Sequence, residues 1–157
     1  SVITNNYQSF SNGDDRKIIK IKKDDFSLKI LPLICYEIIY SGKIFKNQSF
    51  DLIVNISEDG WFGTSIGPKQ HFAHSIFRAV ESGKYLLRSA NNGIAAIVNP
   101  LGVVEQKVEY GEAGYVDFKK AKKIPPTLFS KYGNKIFIIL ILLYIFIIFS
   151  FNRFDNE

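Results

Sequence analysis

At 157 residues the chain has room for one modest domain plus a short appendage, and such a domain buries a core without covalent staples. Its single cysteine excludes an intrachain disulfide, so cysteine pairing carries no sign of compartment. The net charge of +5 is localised: residues 1–118 hold thirteen basic and thirteen acidic side chains and 119–157 hold seven and two, which argues against a nucleic-acid face on the main body.

In chain order, the polar stretch 1–15, rich in Asn, Ser and Gly, reads as a loop. No methionine occurs, even at position 1, so the chain reads as part of a longer or processed product with sequence upstream. Residues 17–22 and 26–34 carry strand patterns joined by the polar turn Lys23-Asp24-Asp25, an expected hairpin whose second strand runs into Cys35. A short helix is expected over 41–47. Residues 51–57, with Leu52, Ile53, Val54 and Ile56, read as a buried strand apolar on both faces. Pro68 suits the first turn of a helix running to about Lys84, with Phe72, Ile76, Ala79 and Val80 on one face. Strands follow at 85–89 and 94–99 around Asn91-Asn92-Gly93, then at 103–108 after the turn Pro100-Leu101-Gly102, and last at 115–118. Strands and helices in this order predict an α/β layered sandwich.

Pro125-Pro126 marks a linker, and beyond it residues 136–151 carry no charge. Sixteen helical residues rise about 24 Å, short of a hydrocarbon core of about 30 Å. Extending the span back to Tyr132, with Lys135 snorkelling, brings it to crossing length. The apolar residues have no polar face between them, as a buried helix of a soluble core would. The organisation predicted is a main domain over 1–118, a basic and Pro-containing linker over 119–131, a transmembrane helix over 132–152 and a tail over 153–157. Lys119, Lys120, Lys122 and Lys123 suit anionic headgroups beside such a span, or a merely solvated linker.

The chemistry centres on Leu33-Ile34-Cys35-Tyr36-Glu37. A thiol where a strand ends and a turn begins is placed as a nucleophile requires, with the bonded backbone behind it and free amides in front. A single buried cysteine also serves as a small hydrophobe, and position alone leaves both readings open. The N–H of Tyr36 is a natural oxyanion donor, because the amide after a nucleophile faces the carbonyl under attack.

Three segments in order carry a resemblance: Ile34-Cys35-Tyr36-Glu37, then Trp61-Phe62-Gly63 through Pro68 and Gln70-His71, then Arg78-Ala79-Val80-Glu81 with Leu87-Arg88-Ser89-Ala90-Asn91-Asn92-Gly93. With the hydrophobic tail, they make residues 26–151 resemble the nitrilase superfamily, and within it the C-terminal part of the bacterial apolipoprotein N-acyltransferases. Glu58 departs from the Asn more usual there before the Asp. The resemblance implies a partial nitrilase-like αββα sandwich followed by one C-terminal transmembrane helix, in the bacterial inner membrane with the catalytic part facing the periplasm. It implies no cofactor, and as partners a phospholipid acyl donor, an apolipoprotein acceptor and the membrane. Cys35 would take an acyl chain as a thioester and release a lysophospholipid, and the N-terminal amine of the acceptor would then take the chain as an amide. A thiol suits both halves, being nucleophilic toward esters and a good leaving group toward amines.

The base Glu and the Lys of that arrangement are expected upstream of Ser1, so the chain alone is expected to be inactive. Glu37 is implied to support the site, or caps the turn that follows Cys35. Trp61 and Phe62 wall the acyl pocket, or simply pack. A membrane-tethered amidase using the same thioester and a non-catalytic remnant of a split gene remain as alternatives. His71 and His74 lie one helical turn apart without a suitably spaced third ligand, which argues against zinc. A papain-like Cys-His pair would need an orienting group that spacing does not place. Arg78 and Glu81, at i and i+3, suit a structural pair. Four lysines before the helix against Arg153 after it would put the main domain in the cytoplasm. The resemblance implies the opposite, and earlier spans of a longer protein would fix the topology.

Overall fold

The computed structural model describes residues 16–42, 49–119 and 124–154, the side chains through 151. Strands β1 (Ile19–Lys23) and β2 (Phe26–Ile34) form the expected antiparallel hairpin, turning at Asp24 with φ +50°. β2 then pairs in parallel with β3 (Leu52–Glu58), and β3 in parallel with β4 (Tyr85–Asn91). A parallel pair needs a crossover. Between β3 and β4 that crossover is α1 (Gly67–Ser82), with Pro68 in its first turn and Gly83 closing it by donating to the carbonyls of Ala79 and Val80. β5 (Ala95–Val98) and β6 (Val104–Val108) return antiparallel, so the six strands lie in sequence order in one mixed sheet.

The strand period of two sends alternate residues to opposite faces. Leu31, Leu33, Ile53, Leu86, Ala96 and Val98 point to the face covered by α1, where they bury together with Ile38, Phe72 and Ala79. Each large side chain among them, such as Leu31, Ile53 or Phe72, contributes about 1.5–3 kcal/mol on burial. The other face is a thinner cluster of Leu52, Tyr85 and Ile97, flanked by Ile30, Val54 and Leu87 and partly covered by Val116 and Phe118. Along the same face Ile34 and Ile56 are exposed. The result is a mixed α/β sheet with one helical layer, and a second sheet does not occur among the described residues.

Three expectations change, and one falls outside the described residues. Residues 115–118 form no strand. That segment is held by the Gln106 side chain, which donates to the Asp117 carbonyl and accepts from its N–H, so a side chain replaces the ladder. β3 is not apolar on both faces, since Asn55 and Ser57 are buried and polar while Ile56 is exposed. The face α1 turns inward is set by His71, Phe72, Ser75, Arg78, Ala79 and Ser82, and Val80 lies outside it. Polar partners at the strand ends, rather than apolar area alone, orient that helix. Residues 43–48, which hold most of the expected helix over 41–47, lie outside the described residues, as do Lys120, Lys122 and Lys123.

After Pro125-Pro126 comes a short helix α2 (Leu128–Tyr132), N-capped by Thr127 and closed by Gly133 at φ +53°. α3 (Lys135–Phe154) then starts afresh. The expected continuous span from Tyr132 is therefore broken: the left-handed residue at 133 ends one helix before the next begins. Among the described residues no helix is long and apolar enough to cross a membrane. The uncharged stretch 136–151 of α3 nevertheless leaves its large apolar side chains exposed along its length.

Candidate active site

The three parallel strands β2, β3 and β4 finish side by side. Ile34 pairs with Ile56, Ser57 with Ala90 and Glu58 with Asn91. In parallel sheets the carboxyl ends of the strands are where loops diverge and open a crevice. Cys35 lies at that edge, opening a 3-10 turn (Cys35–Ile39) directly after β2. Its φ of +49° is left-handed, a region a non-glycine residue occupies at a cost of about 1–2 kcal/mol. The sharp reversal lifts the thiol out of the strand and puts the N–H of Tyr36 at the start of the turn, where 3-10 bonding offers it no acceptor.

Glu37 caps this turn. Its Oε2 accepts from the N–H of Ile34 at 2.7 Å and its Oε1 pairs with Arg16 at 2.7 Å. Partial burial works against its charge, but the Ile34 amide and Arg16 outweigh that and hold it below the ordinary Glu value. With both oxygens engaged, Glu37 steadies the turn that Cys35 opens.

Beneath Cys35 is a buried polar network that the sequence did not bring together. Asn55 Nδ2 donates to the carbonyls of Leu33 at 3.0 Å and Cys35 at 3.3 Å, while its Oδ1 accepts from Arg88 Nη1. Arg88 also donates from Nη2 to Asp59 Oδ2 at 2.7 Å and from Nε to the Ile94 carbonyl at 3.2 Å. Asp59 Oδ1 accepts from Ser57 Oγ at 2.8 Å and lies 2.8 Å from His71 Nδ1. Ser57 Oγ in turn stands 3.8 Å from Cys35 Sγ. Burial disfavours the Asp59 charge, yet His71, Arg88 and Ser57 together keep its carboxyl below the usual range. An anionic Asp59 places the shared proton on His71 Nδ1. Burial likewise pushes Arg88 down, opposed chiefly by Asp59 and then by the field at Cys35.

The aromatic wall is uneven. Tyr36 stacks obliquely on His71 with ring centroids 5.3 Å apart, and Phe62 meets His71 edge-on at 5.6 Å and Tyr36 at 6.4 Å. Trp61, by contrast, is 86% exposed. Phe62 thus joins the group around Cys35, while Trp61 projects into solvent beside it. His71 is 2% exposed and bonded to Asp59, so its place is under the site. Glu58 accepts from the Gly60 N–H at 2.6 Å and from Asn91 Nδ2, with Asn92 Nδ2 at 3.4 Å. The carboxylate at this position therefore holds the 58–60 turn to the end of β4. Arg78 and Glu81 pair at 2.9 Å as expected. Glu81 also accepts from the N–H of Gly42 at 2.8 Å and from Ser41 Oγ at 3.3 Å, and its backbone carbonyl accepts from Thr127. The pair therefore ties the segment after the Cys35 turn to the start of α2.

Of the residues the sequence singled out, Cys35, Tyr36, Glu37 and Phe62 are brought together at this edge, and Trp61 is not. Sequence reasoning missed Asn55, Ser57, Asp59 and Arg88. The available signal was polar residues at inward positions of otherwise apolar strands, and a buried Arg in a strand demands a carboxylate partner.

This arrangement has relatives. The family model described as carbon-nitrogen hydrolase matches residues 5–117. The chain is 48% identical over 127 residues to the apolipoprotein N-acyltransferase of Rickettsia bellii (strain RML369-C), covering 80% of this chain and 25% of that protein. Similar matches are the proteins of that name from Rickettsia prowazekii (strain Madrid E), 42% identical over 84% of this chain and 26% of the relative, and from Bradyrhizobium diazoefficiens, 43% identical over 66% and 20%. The chain thus spans about a quarter of the length of the first of these relatives. A match that runs through all six strands and the Cys35 turn carries one conclusion: the chain belongs to the carbon-nitrogen hydrolase family.

Proposed function

We propose that this chain supplies the nucleophile half of an apolipoprotein N-acyltransferase, moving an acyl chain from a phospholipid to the N-terminal amine of a lipoprotein precursor. The observation that carries the reading is Cys35 at a left-handed turn on the carboxyl edge of three parallel strands, in a chain of the carbon-nitrogen hydrolase family. The thiolate of Cys35 attacks the ester carbonyl, a thioester forms and the lysophospholipid leaves. The acceptor amine then attacks the thioester, an amide forms and the thiol is regenerated. The N–H of Tyr36 receives the charge that develops on the carbonyl oxygen in each half. Glu37 acts by holding the turn, since both its oxygens are engaged, so the base and the cation of the reaction come from elsewhere in the protein. Tyr36 and Phe62 flank the acyl path and Trp61 extends it outward.

The membrane part of the reading rests on α3, which is apolar on every side and exposed. In this proposal α3 enters the bilayer of the bacterial inner membrane, α2 with Phe129 and Tyr132 lies at the interface, residues 119–131 link the two parts, and the site faces the periplasm. Donor and nucleophile then meet at the membrane surface.

The test supplies the full-length protein in detergent with phospholipid and a peptide bearing a diacylglyceryl N-terminal cysteine. Amide formation on the peptide is the expected result. Free fatty acid or ammonia release in place of amide would assign a hydrolase, and no turnover with an intact fold would assign a non-catalytic remnant.

A further inference from the structure

The hydroxyl of Ser57 stands between two acceptors that compete for its single proton: Asp59 Oδ1 at 2.8 Å and Cys35 Sγ at 3.8 Å. While Cys35 is a thiol, the shorter bond holds that proton on the Asp59 side, and the Ser57 lone pairs face the S–H. Once the thiol has lost its proton, a lone pair facing a sulfur anion is unfavourable, and the hydroxyl gains by turning about its C–O bond. A hydrogen bond to a charged acceptor is about twice as strong as a neutral one. The turn does not orphan Asp59, because Arg88 Nη2 at 2.7 Å and His71 Nδ1 at 2.8 Å remain on its two oxygens.

We infer that Ser57 is a further catalytic residue, a hydroxyl switch that donates to Asp59 while Cys35 is a thiol and to the sulfur once the thiolate forms. Asp59 is its positioning residue. No covalent bond to Ser57 is made or broken: the thiol proton goes to the general base of the reaction, and the Ser57 proton changes only its acceptor. Buried as it is, Ser57 cannot draw freely on bulk water for an alternative partner. Its position is fixed by β3, whose ladder bonds on both sides to β2 and β4 hold the neighbouring backbone.

The inference rests on the assignment of Cys35 as nucleophile, and it is tested on the thiol itself, so that an error about the acyl donor leaves the test intact. The titratable and charged groups of the Cys35 turn and the network beneath it are Glu37, paired with Arg16, then Asp59 after β3, His71 on α1 and Arg88 on β4. All of these are kept while Ser57 is changed. The rate of Cys35 alkylation by iodoacetamide is measured against pH in the full-length, detergent-solubilised protein, for the parent, Ser57→Ala and Ser57→Thr. Thermal unfolding of each variant is recorded alongside. Ser57→Ala is expected to raise the midpoint of the profile by about one pH unit, tenfold less thiolate at a pH below it, with the limiting rate at high pH kept. Ser57→Thr, which retains the hydroxyl, is expected to restore the parent midpoint. An unchanged midpoint in Ser57→Ala, or an equal shift in both variants, overturns the switch. Failure of acyl transfer with the alkylation shift intact would count against the acyltransferase reading alone.

Discussion

At Cys35 the side chain proposed as nucleophile occupies a backbone conformation that suits glycine. Its left-handed φ of +49° costs about 1–2 kcal/mol, and glycine brings an entropic cost of about 0.5–1 kcal/mol. Cys35→Gly is therefore expected to unfold at higher denaturant than Cys35→Ala, by about 1 kcal/mol, while both lose acylation; equal stability would mean the turn is unstrained. Below it, Arg88 and Asp59 form a pair with no exposed side-chain surface. Arg88→Met leaves the Asp59 carboxylate buried without its main cation and is expected to cost about 3–5 kcal/mol by chemical denaturation. Asp59 also sets a pH dependence. Its folded value lies below the ordinary 3.8, so its contribution to stability is complete above that pH and is lost as pH falls through the lower folded value. Stability curves should therefore fall below about pH 4, and the acid limb should flatten in Asp59→Asn. The thiol, its turn and the neighbouring carboxylate could be read from Leu33-Ile34-Cys35-Tyr36-Glu37. Ser57, Asp59 and Arg88 showed only as polar residues in or next to apolar strands, because their partners are named only when strand ends such as Ile34 and Ile56, or Glu58 and Asn91, are aligned.

At the scale of elements, strand periodicity and Pro68 located the hairpin, β3, α1, β4 and β5 within a few residues of their observed ends. The failures have physical causes. Residues 115–118 alternate as a strand does, but the Gln106 amide takes the bonds a neighbouring strand would have made. Helical spacing of Phe72, Ile76 and Ala79 pointed to the buried face, but that face turns away from Val80 because the polar residues of α1 are anchored: His71 to Asp59, and Ser75 to Arg88 at 3.4 Å. The loop after β4 shows what Asn91-Asn92-Gly93 does. A Cβ on Gly93 would collide with the Asp59 carboxylate, so β4 closes over the network only with glycine there. Gly93→Ala is expected to displace Asp59 from Arg88, cost about 1–3 kcal/mol and slow Cys35 acylation. Full activity at parent stability in that variant would show that the contact is easily relieved.

At the scale of the whole molecule, a mixed sheet that carries Cys35 is followed by a helix whose large apolar side chains are exposed along its length. The bolt between them is Glu81, which holds Gly42 beyond the nucleophile turn with its carboxylate and Thr127 before α2 with its carbonyl. If α3 is lipid-covered, a spin label placed at Ile145 in a Cys35→Ala background should be accessible to oxygen and shielded from an aqueous nickel chelate. Equal access to the chelate would place the helix in water. The apolar run 136–151 was plain in the sequence, whereas the break at Gly133 was not, because a lone glycine between two helical stretches does not announce which conformation it takes. The central claim is that Cys35 accepts an acyl chain from phospholipid, and intact mass spectrometry tests it most directly. The full-length protein, incubated with phospholipid in detergent without acceptor, should gain the mass of one acyl chain, lose it to hydroxylamine, and gain nothing as Cys35→Ala. An added mass that persists in Cys35→Ala, or no added mass in the folded parent protein, would contradict the account.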